Sequence, residues 1–411
     1  MKRADRNPQG PKPVIRVEVS EKNRKRRIIL AVVCLVFGVL AIMYALINAL
    51  NTDPGWKAVE VNSSQLNCSK DFVFMYYLGD SGMSATAEYK QLEAVYTEAT
   101  VNAYRIFNED IQKLGSHPNE ALIVDSGLYR ALELVHQYGN RCLYLAPVYV
   151  EYDRIFLSEN EIEAASYDPG QNAELVEYIR QVSAFANDPG MIDLELLGGN
   201  QVRLKVADAY LTFAQENEIA QYLDFGWMKN AFVADYLAEA MIAKGFTRGY
   251  LASYDGFTRN LDTTGSTYSF NLFDRQGADI YLPAVMNYNG PCSMVYLRNY
   301  PMGDQDRWHY YSFTNGRIVT ACIDPADGMS KSSTDNIVAY GEKSGCAEIL
   351  LQLIPVYLTE EFSADGLNAL TAKGIHSIWF EDAVLRYNNS GLKLTMKTEA
   401  APQYSASYAG K

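Results

Sequence analysis

The apolar positions of residues 222–257 change period twice. Tyr222–Phe225 reads as a short buried strand that stops at a turn on Gly226. From Met228, the residues Phe232, Tyr236, Leu237, Ala240 and Met241 recur at helical spacing. Lys244 and Gly245 stand where a last turn and a left-handed cap belong. Arg248–Ser253 then resumes as a strand ending in Tyr254-Asp255-Gly256. A strand that feeds a glycine turn and a helix N-terminus leaves backbone N–H groups unpaired at one point. Such a point suits a phosphate or another anion.

The flanking sequence follows the same two periods. Phe72–Leu78 is strand-like, and Glu88–Leu114 is a long amphipathic helix with Leu92, Val95, Tyr96, Ala99, Ala103, Ile106 and Phe107 on one stripe. A helix over Gly127–Tyr138 has Asp125 or Ser126 as its cap. Further helices are predicted over Ala173–Ala186 and Ala207–Glu218, and Leu194–Val206 alternates as a hairpin around Gly199-Asn200. Short strands are predicted from Asp279 to Leu297, with a turn over Asn287–Pro291. Trp308–Phe313 and Arg317–Ile323 form a second hairpin around Thr314-Asn315-Gly316. A strand over Asn336–Tyr340 and a helix over Gly345–Leu358, kinked or ended by Pro355, come next. Residues 363–387 supply a last helix and two strands joined at Glu381-Asp382. The result is an α+β chain with mixed or antiparallel sheets flanked by helices.

Charge divides the chain. Residues 1–27 carry ten Lys/Arg against three acids, whereas the whole chain has a net charge of −13, so the body is strongly acidic. An acidic body repels nucleic-acid phosphates, and no nucleic-acid partner is expected. From Ile28 to Thr52 no charged residue occurs, and a basic cluster stands directly before this run. The pattern predicts a basic cytoplasmic leader (1–27), one membrane-spanning helix (28–50), a polar linker (51–70), an extracytoplasmic body (71–388) and a loose tail (389–411). Cys68, Cys142, Cys292, Cys322 and Cys346 lie outside the span with no C-x-x-C spacing, which argues against a zinc ribbon or a dithiol redox site. His117, His136 and His376 read as structural or solvated residues.

Three passages carry a resemblance. Leu223-Asp224-Phe225-Gly226, followed by a helix containing Asp235, resembles the L-D-L-G-G-I-A-K-G-Y-A-V-D stretch of the ApbE family of FAD:protein FMN transferases. Leu223, Asp224, Gly226 and Asp235 match; Trp227, Asn230 and Ala231 replace a Gly, a Lys and a Gly, and Lys229 lies one position from the family lysine. Ile323-Asp324-Pro325-Ala326-Asp327-Gly328 resembles the family's I-D-P-x-T-G, with Ala321 where the family has a histidine and His309 on the facing strand. Ala347-Glu348 covers the family's A-D, which places Glu348 and Gln352 on its two Mg²⁺-binding positions. After the helix over Gly127–Tyr138, Ala146-Pro147-Val148 resembles the remnant of a further family passage.

The resemblance implies an ApbE-like fold, FAD or FMN as substrate or ligand, Mg²⁺, and a flavin-accepting surface protein as partner. On it, the cleft forms where Gly226, Asp324 and Glu348 converge. Asp324 and Glu348 would be catalytic, and Asp224, Gly226, Lys229, Asp255, Gly256, Pro325 and Gly328 would bind the flavin nucleotide. Glu348 and Gln352 would hold the metal. Thr264-Gly265-Ser266-Thr267 reads as a polar turn, although it also resembles a flavin-accepting tetrapeptide. Loss of the family's Lys, His and Thr leaves two outcomes in view: a working FMN transferase, or a descendant that holds a flavin or only a protein partner without turnover.

Overall fold

The computed structural model describes residues 52–62, 71–397 and 402–410. The basic leader, the predicted membrane-spanning helix (28–50) and part of the predicted linker lie outside these residues. Among those described, no helix is long and apolar enough to cross a membrane. The body, Pro54–Lys411, forms one compact unit.

In chain order, the first half contains β1 (Gly55–Val59), β2 (Phe72–Leu78), α1 (Ala85–Tyr104), α2 (Ile111–Gly115), β3 (Ala121–Ile123), α3 (Ser126–Gln137), α4 (Ala146–Leu157), α5 (Glu161–Tyr167), α6 (Ala173–Asn187), β4 (Ile192–Gly198), β5 (Gln201–Val206) and α7 (Asp208–Glu216). The second half contains α8 (Lys229–Ala243), β6 (Gly249–Ser253), β7 (Phe257–Asn260), β8 (Thr267–Gln276), β9 (Asp279–Asn289), β10 (Cys292–Arg298), β11 (Tyr310–Ser312), β12 (Ile318–Thr320), β13 (Asn336–Gly341), α9 (Cys346–Tyr357), α10 (Ala364–Leu370), β14 (His376–Glu381), β15 (Val384–Tyr387), β16 (Lys393–Met396) and β17 (Ser405–Tyr408).

A nine-stranded sheet runs β1-β2-β6-β7-β10-β13-β14-β15-β17, antiparallel at every pair except β15–β17. Its central strands are buried on both faces, so they read as continuous apolar runs. In β10, Val295 and Leu297 join the helical core while Met294 and Tyr296 face a second core. In β13, Ile337 and Ala339 go one way and Val338 and Tyr340 the other. The second core is closed by Leu272 of β8 and Ala284 and Met286 of β9, from the three-stranded sheet β16-β9-β8. The first is filled from α1, α8 and α9, with Leu92, Tyr96, Leu237, Met241, Leu350 and Ile354 all buried.

Four expectations change. Tyr222–Phe225 joins no ladder, because Tyr222, Leu223 and Phe225 sink into the helical core and a four-residue apolar run does not by itself specify a strand. The linker contains β1, paired along its length with β2. The tail is not loose: β16 pairs with β9, and β17 adds the last strand of the large sheet. The strands from Asp279 are not all short, since β9 runs for 11 residues. Cys142, Cys292, Cys322 and Cys346 are buried free thiols, packed as small apolar side chains.

One carboxylate joins the helices of the first core. Asp235 of α8 accepts from the backbone N–H groups of Cys346 (2.8 Å) and Ala347 (2.9 Å), the first turn of α9. Gly345, the residue before the helix, has no side chain to cap that end, and a Cβ on it would collide with the Asp235 carboxylate. Arg259 of β7 lies 3.4 Å from the same group and also donates to Ser293 Oγ of β10. Asp235→Ala should therefore destabilise the fold by roughly 2–4 kcal/mol, since it strands two buried donors and an arginine. The expected readout is a lower thermal midpoint; an unchanged melt would refute this role.

Candidate functional site

The chain enters α8 through a tight turn. Asp224 Oδ1 accepts from Gly226 N (2.7 Å), and Met228 N and Lys229 N donate to Phe225 and Gly226 carbonyls. Gly226 has φ +53, and a Cβ there would strike the Tyr149 ring. Both facts require glycine. The N–H groups of Gly226, Met228 and Lys229 are thus spent within the turn, which corrects the expectation that they stand open for an anion.

A cavity of about 800 Å³ opens beside this turn. Its walls come from Gly226, Lys229 and Asn230 at the start of α8, Asp255 from the β6–β7 turn, Asp71 before β2, and the 3₁₀ segment Asp304–Trp308 with His309. Asn230 Nδ2 donates to Asp255 Oδ2 (2.9 Å), and Lys229 Nζ donates to Asn108 Oδ1 (2.9 Å). Gly256 has φ +107 and meets the Tyr296 carbonyl so closely that no Cβ fits, which brings the Asp255 turn down onto β10. The 3₁₀ segment is anchored from beneath. Asp306, buried, accepts from Arg298 Nη2 (2.5 Å) and from the amides of Met302 (2.6 Å) and Gly303 (3.1 Å). That anchor leaves Arg307 and Trp308 at the mouth, with the guanidinium 4.3 Å from the centre of a Trp308 ring that is 48% exposed.

The electrostatics are mixed. Burial pushes the Asp71 carboxyl above its ordinary range and neighbouring Asp255 pushes it the same way, while His309 and Lys229 pull it down. A small recess lined by Trp227, Asp255, Arg298 and His309 adjoins the cavity. Around it, three buried polar atoms have no partner among the described residues: Trp227 Nε1, Asp255 Oδ1 and Arg298 Nε. Each buried donor or acceptor of this kind calls for a partner, which a water or a bound ligand can supply.

Comparison of whole structures decides the fold. The ApbE protein of Thermotoga maritima superposes with a TM-score of 0.52 at 10% identity, over 79% of this chain and 93% of that one. The flavin transferase ApbE from Vibrio cholerae gives 0.50 at 10% identity, over 84% and 98%. The chain has the ApbE fold. No protein-family model and no curated protein matches it by sequence.

On the ApbE fold, the expected site residues divide. Gly226, Lys229 and Asp255 line one cavity, with Asp224 and Gly256 shaping the turns that carry them. Asp324, Pro325, Gly328, Glu348 and Gln352 do not line it, so the expected convergence of Gly226, Asp324 and Glu348 is not formed. Asp324 is a structural residue: it accepts from Ala326 N (2.9 Å) and Lys331 Nζ (2.9 Å). The Pro325 carbonyl accepts from Asn187 of α6, and a Cβ on Gly328 would lie 2.5 Å from Ile179 and Ser183 of the same helix. The I-D-P-A-D-G loop is therefore packed against α6.

Glu348 Oε1 accepts from the Tyr138 hydroxyl (2.8 Å), and Gln352 is buried one turn further on. Among the described residues, no group of three His, Cys, Asp or Glu side chains comes together to hold a metal. One engaged carboxylate and one amide do not fit Mg²⁺, which needs several oxygen ligands in octahedral array. Thr267 of the acceptor-like tetrapeptide begins β8, where its hydroxyl accepts from Asn289 Nδ2.

His309 does reach the cavity, and its carbonyl pairs with Ala321 N (2.9 Å), opposite the position where the family has its histidine. Asp71, Arg307 and Trp308 escaped the sequence reading. The signal available was the polar and aromatic run Asp304–His309, which is too charged for the strand assigned from Trp308. Asp324→Ala should lower the thermal midpoint, through the lost turn and lysine contacts, while leaving ligand binding at the Gly226 cavity intact. A binding defect without a stability loss would reverse that assignment.

Proposed function

We propose that this protein is a flavin-nucleotide-binding protein of the flavin-transferase mould, holding FAD in the cavity beside Gly226. The observation that carries the reading is the cavity itself: on an ApbE fold, it lies at the turn into α8 and is rimmed by exposed aromatic and cationic side chains. Its volume suits a small-molecule or cofactor site. Arg307 covers one face of Trp308, leaving the other for a planar ring, and Tyr254, 50% exposed, offers a second surface. Lys229 and Arg307 supply the charge that a pyrophosphate requires, and Asp71 and Asp255 oppose it.

Transfer of FMN to a Ser or Thr of a partner protein is the second reading, favoured by His309 in the cavity. The Mg²⁺ implied by the fold would supply charge neutralisation at the phosphate, but Glu348 and Gln352 are not placed to hold it there. Binding without efficient turnover is therefore the function proposed. Anchoring through residues 28–50, with the body outside the cell, belongs to the same proposal and is supported by the uncharged run behind a basic cluster. External protease should remove the body from intact cells and spare the leader; a protected body would end that part of the reading.

Titration of the full-length protein with FAD should quench isoalloxazine fluorescence. Trp308→Ala should weaken binding about tenfold or more, in line with roughly 1–3 kcal/mol for a stacked ring. Chelators should leave affinity unchanged, and release of AMP from FAD should not exceed background with Mg²⁺ present. A flat titration would defeat the proposal, and brisk Mg²⁺-dependent AMP release would replace it with the transferase reading.

The pH dependence has a definite sign. Because Asp71 titrates above the ordinary carboxylate range, lowering the pH through its raised pKa removes a negative charge from the cavity. Affinity for the FAD pyrophosphate should rise as that charge is lost. Asp71→Asn should bind more tightly at neutral pH and lose the Asp71 share of the pH response; identical profiles for the two proteins would contradict this.

A further inference from the structure

A second cavity, of about 640 Å³, lies at the open end of the second core, and it shares no lining residue with the one beside Gly226. Tyr288, Tyr340 and His376 give it ring-shaped walls, with the Tyr340 and His376 rings 5.7 Å apart. Lys343, Lys373 and Lys393 lie on its lining against a single acid, Glu342, in a chain whose net charge is −13. The sign of the local charge is thus opposite to that of the whole molecule.

The hydrogen-bond inventory points the same way. The lining amides are turned to the protein: Asn287 Oδ1 accepts from Ser269 Oγ and its Nδ2 donates to Thr395, Asn389 Oδ1 accepts from Gly391 N and its Nδ2 donates to Tyr340, and Asn289 Nδ2 donates to Gly265 and Thr267. Tyr340 accepts from Asn389 (3.0 Å) and Tyr288 from Asn260 (3.4 Å), and among the described residues neither hydroxyl donates onward. Burial pushes the Tyr288 hydroxyl up to about 12, and Tyr340 is raised as well, so both keep their protons. Lysine ammonium groups are donors only. Lys373 lies over the Tyr138 ring, which leaves Lys343 and Lys393 as the freer cations. His376 Nδ1 is buried and has no partner among the described residues. A lining with lysine ammonium groups, two tyrosine hydroxyl donors and aromatic walls suits a ligand that brings acceptors and a flat or ring-shaped body.

We propose that this cavity is a binding site for a small organic anion, a carboxylate or phosphate carried on a ring, held by Lys343, Lys393 and the Tyr288 and Tyr340 hydroxyls. The proposal does not depend on the flavin reading.

The test is calorimetric titration of the full-length protein in detergent with benzoate, glucuronate and glucose 6-phosphate, with glucose and benzyl alcohol as neutral controls. The first two probes report a carboxylate ligand and the third a phosphate. At least one anion should bind with a Kd of about 1 mM or tighter, and neither control should. The exposed pair Lys343→Glu/Lys393→Glu should keep its melting temperature and lose affinity roughly tenfold or more, while Lys229→Ala should bind the anion as the native protein does. Absence of binding by all three anions at about 10 mM would overturn the proposal, as would equal binding by the double variant. Loss in Lys229→Ala alone would do so too, because it would move the anion to the other cavity.

Discussion

The contact on which the body depends is the Asp235 carboxylate at the N-terminus of α9. A helix begins with backbone donors that lack partners, and here a neighbouring helix satisfies two of them. The charge also suits the positive end of the α9 dipole. Because Arg259 reaches the same carboxylate from β7 and bonds Ser293 on β10, a single group ties α8, α9 and the middle of the large sheet together. The cavity beside Gly226 inherits that constraint: Lys229 and Asn230 occupy the first two positions of α8, so their placement is set by a residue further along the same helix. Asp235 thus does for geometry what no cavity residue does alone.

The second constraint is a sheet buried on both faces. Alternate residues of β10 and β13 point into different cores, so neither strand has a polar face to offer. Two layers must then cover the sheet, and each layer leaves a gap where its cover ends. The helical layer leaves the cavity at the α8 turn, and the β16-β9-β8 layer leaves the one lined by Tyr288 and Tyr340. The tail takes part in this cover, since β16 extends the second layer and β17 protects the edge of β15.

Much of this was legible in the sequence because the determinants are local. The period of α8, the left-handed Gly245 and the cap at Asp125 depend on residues within a few positions of each other, and all appear as expected. The strand at Phe72–Leu78 and the Thr314-Asn315-Gly316 hairpin are equally local. What failed depends on distant partners. Tyr222–Phe225 is apolar enough for a strand, but helices claim its side chains first. The strands β16 and β17 are polar and short, and only their long-range pairing orders them. The site failed for a related reason. A turn signature such as Asp324–Gly328 specifies a backbone shape, and that shape is equally able to hold a ligand or to pack on a helix. The Ile179 and Ser183 contacts at Gly328 select the second use.

The same distinction explains how this fold can keep its outline while its chemistry changes. Asp224, Gly226 and Asp235, shared with the family's first passage, all have architectural work here: one closes the turn, one fits beneath Tyr149, one caps α9. Of the altered positions, Trp227 and Asn230 line the cavity and Glu348 does not. Trp227 puts an indole with an unpartnered Nε1 beside the cavity, Asn230 holds Asp255, and Glu348 is turned to Tyr138. Packing residues are constrained by many neighbours at once, whereas a ligand-facing group answers mainly to its ligand. A chain under selection for a different ligand, or for binding without turnover, would lose the second set first. Resemblance in such a chain therefore carries the backbone more securely than the reaction.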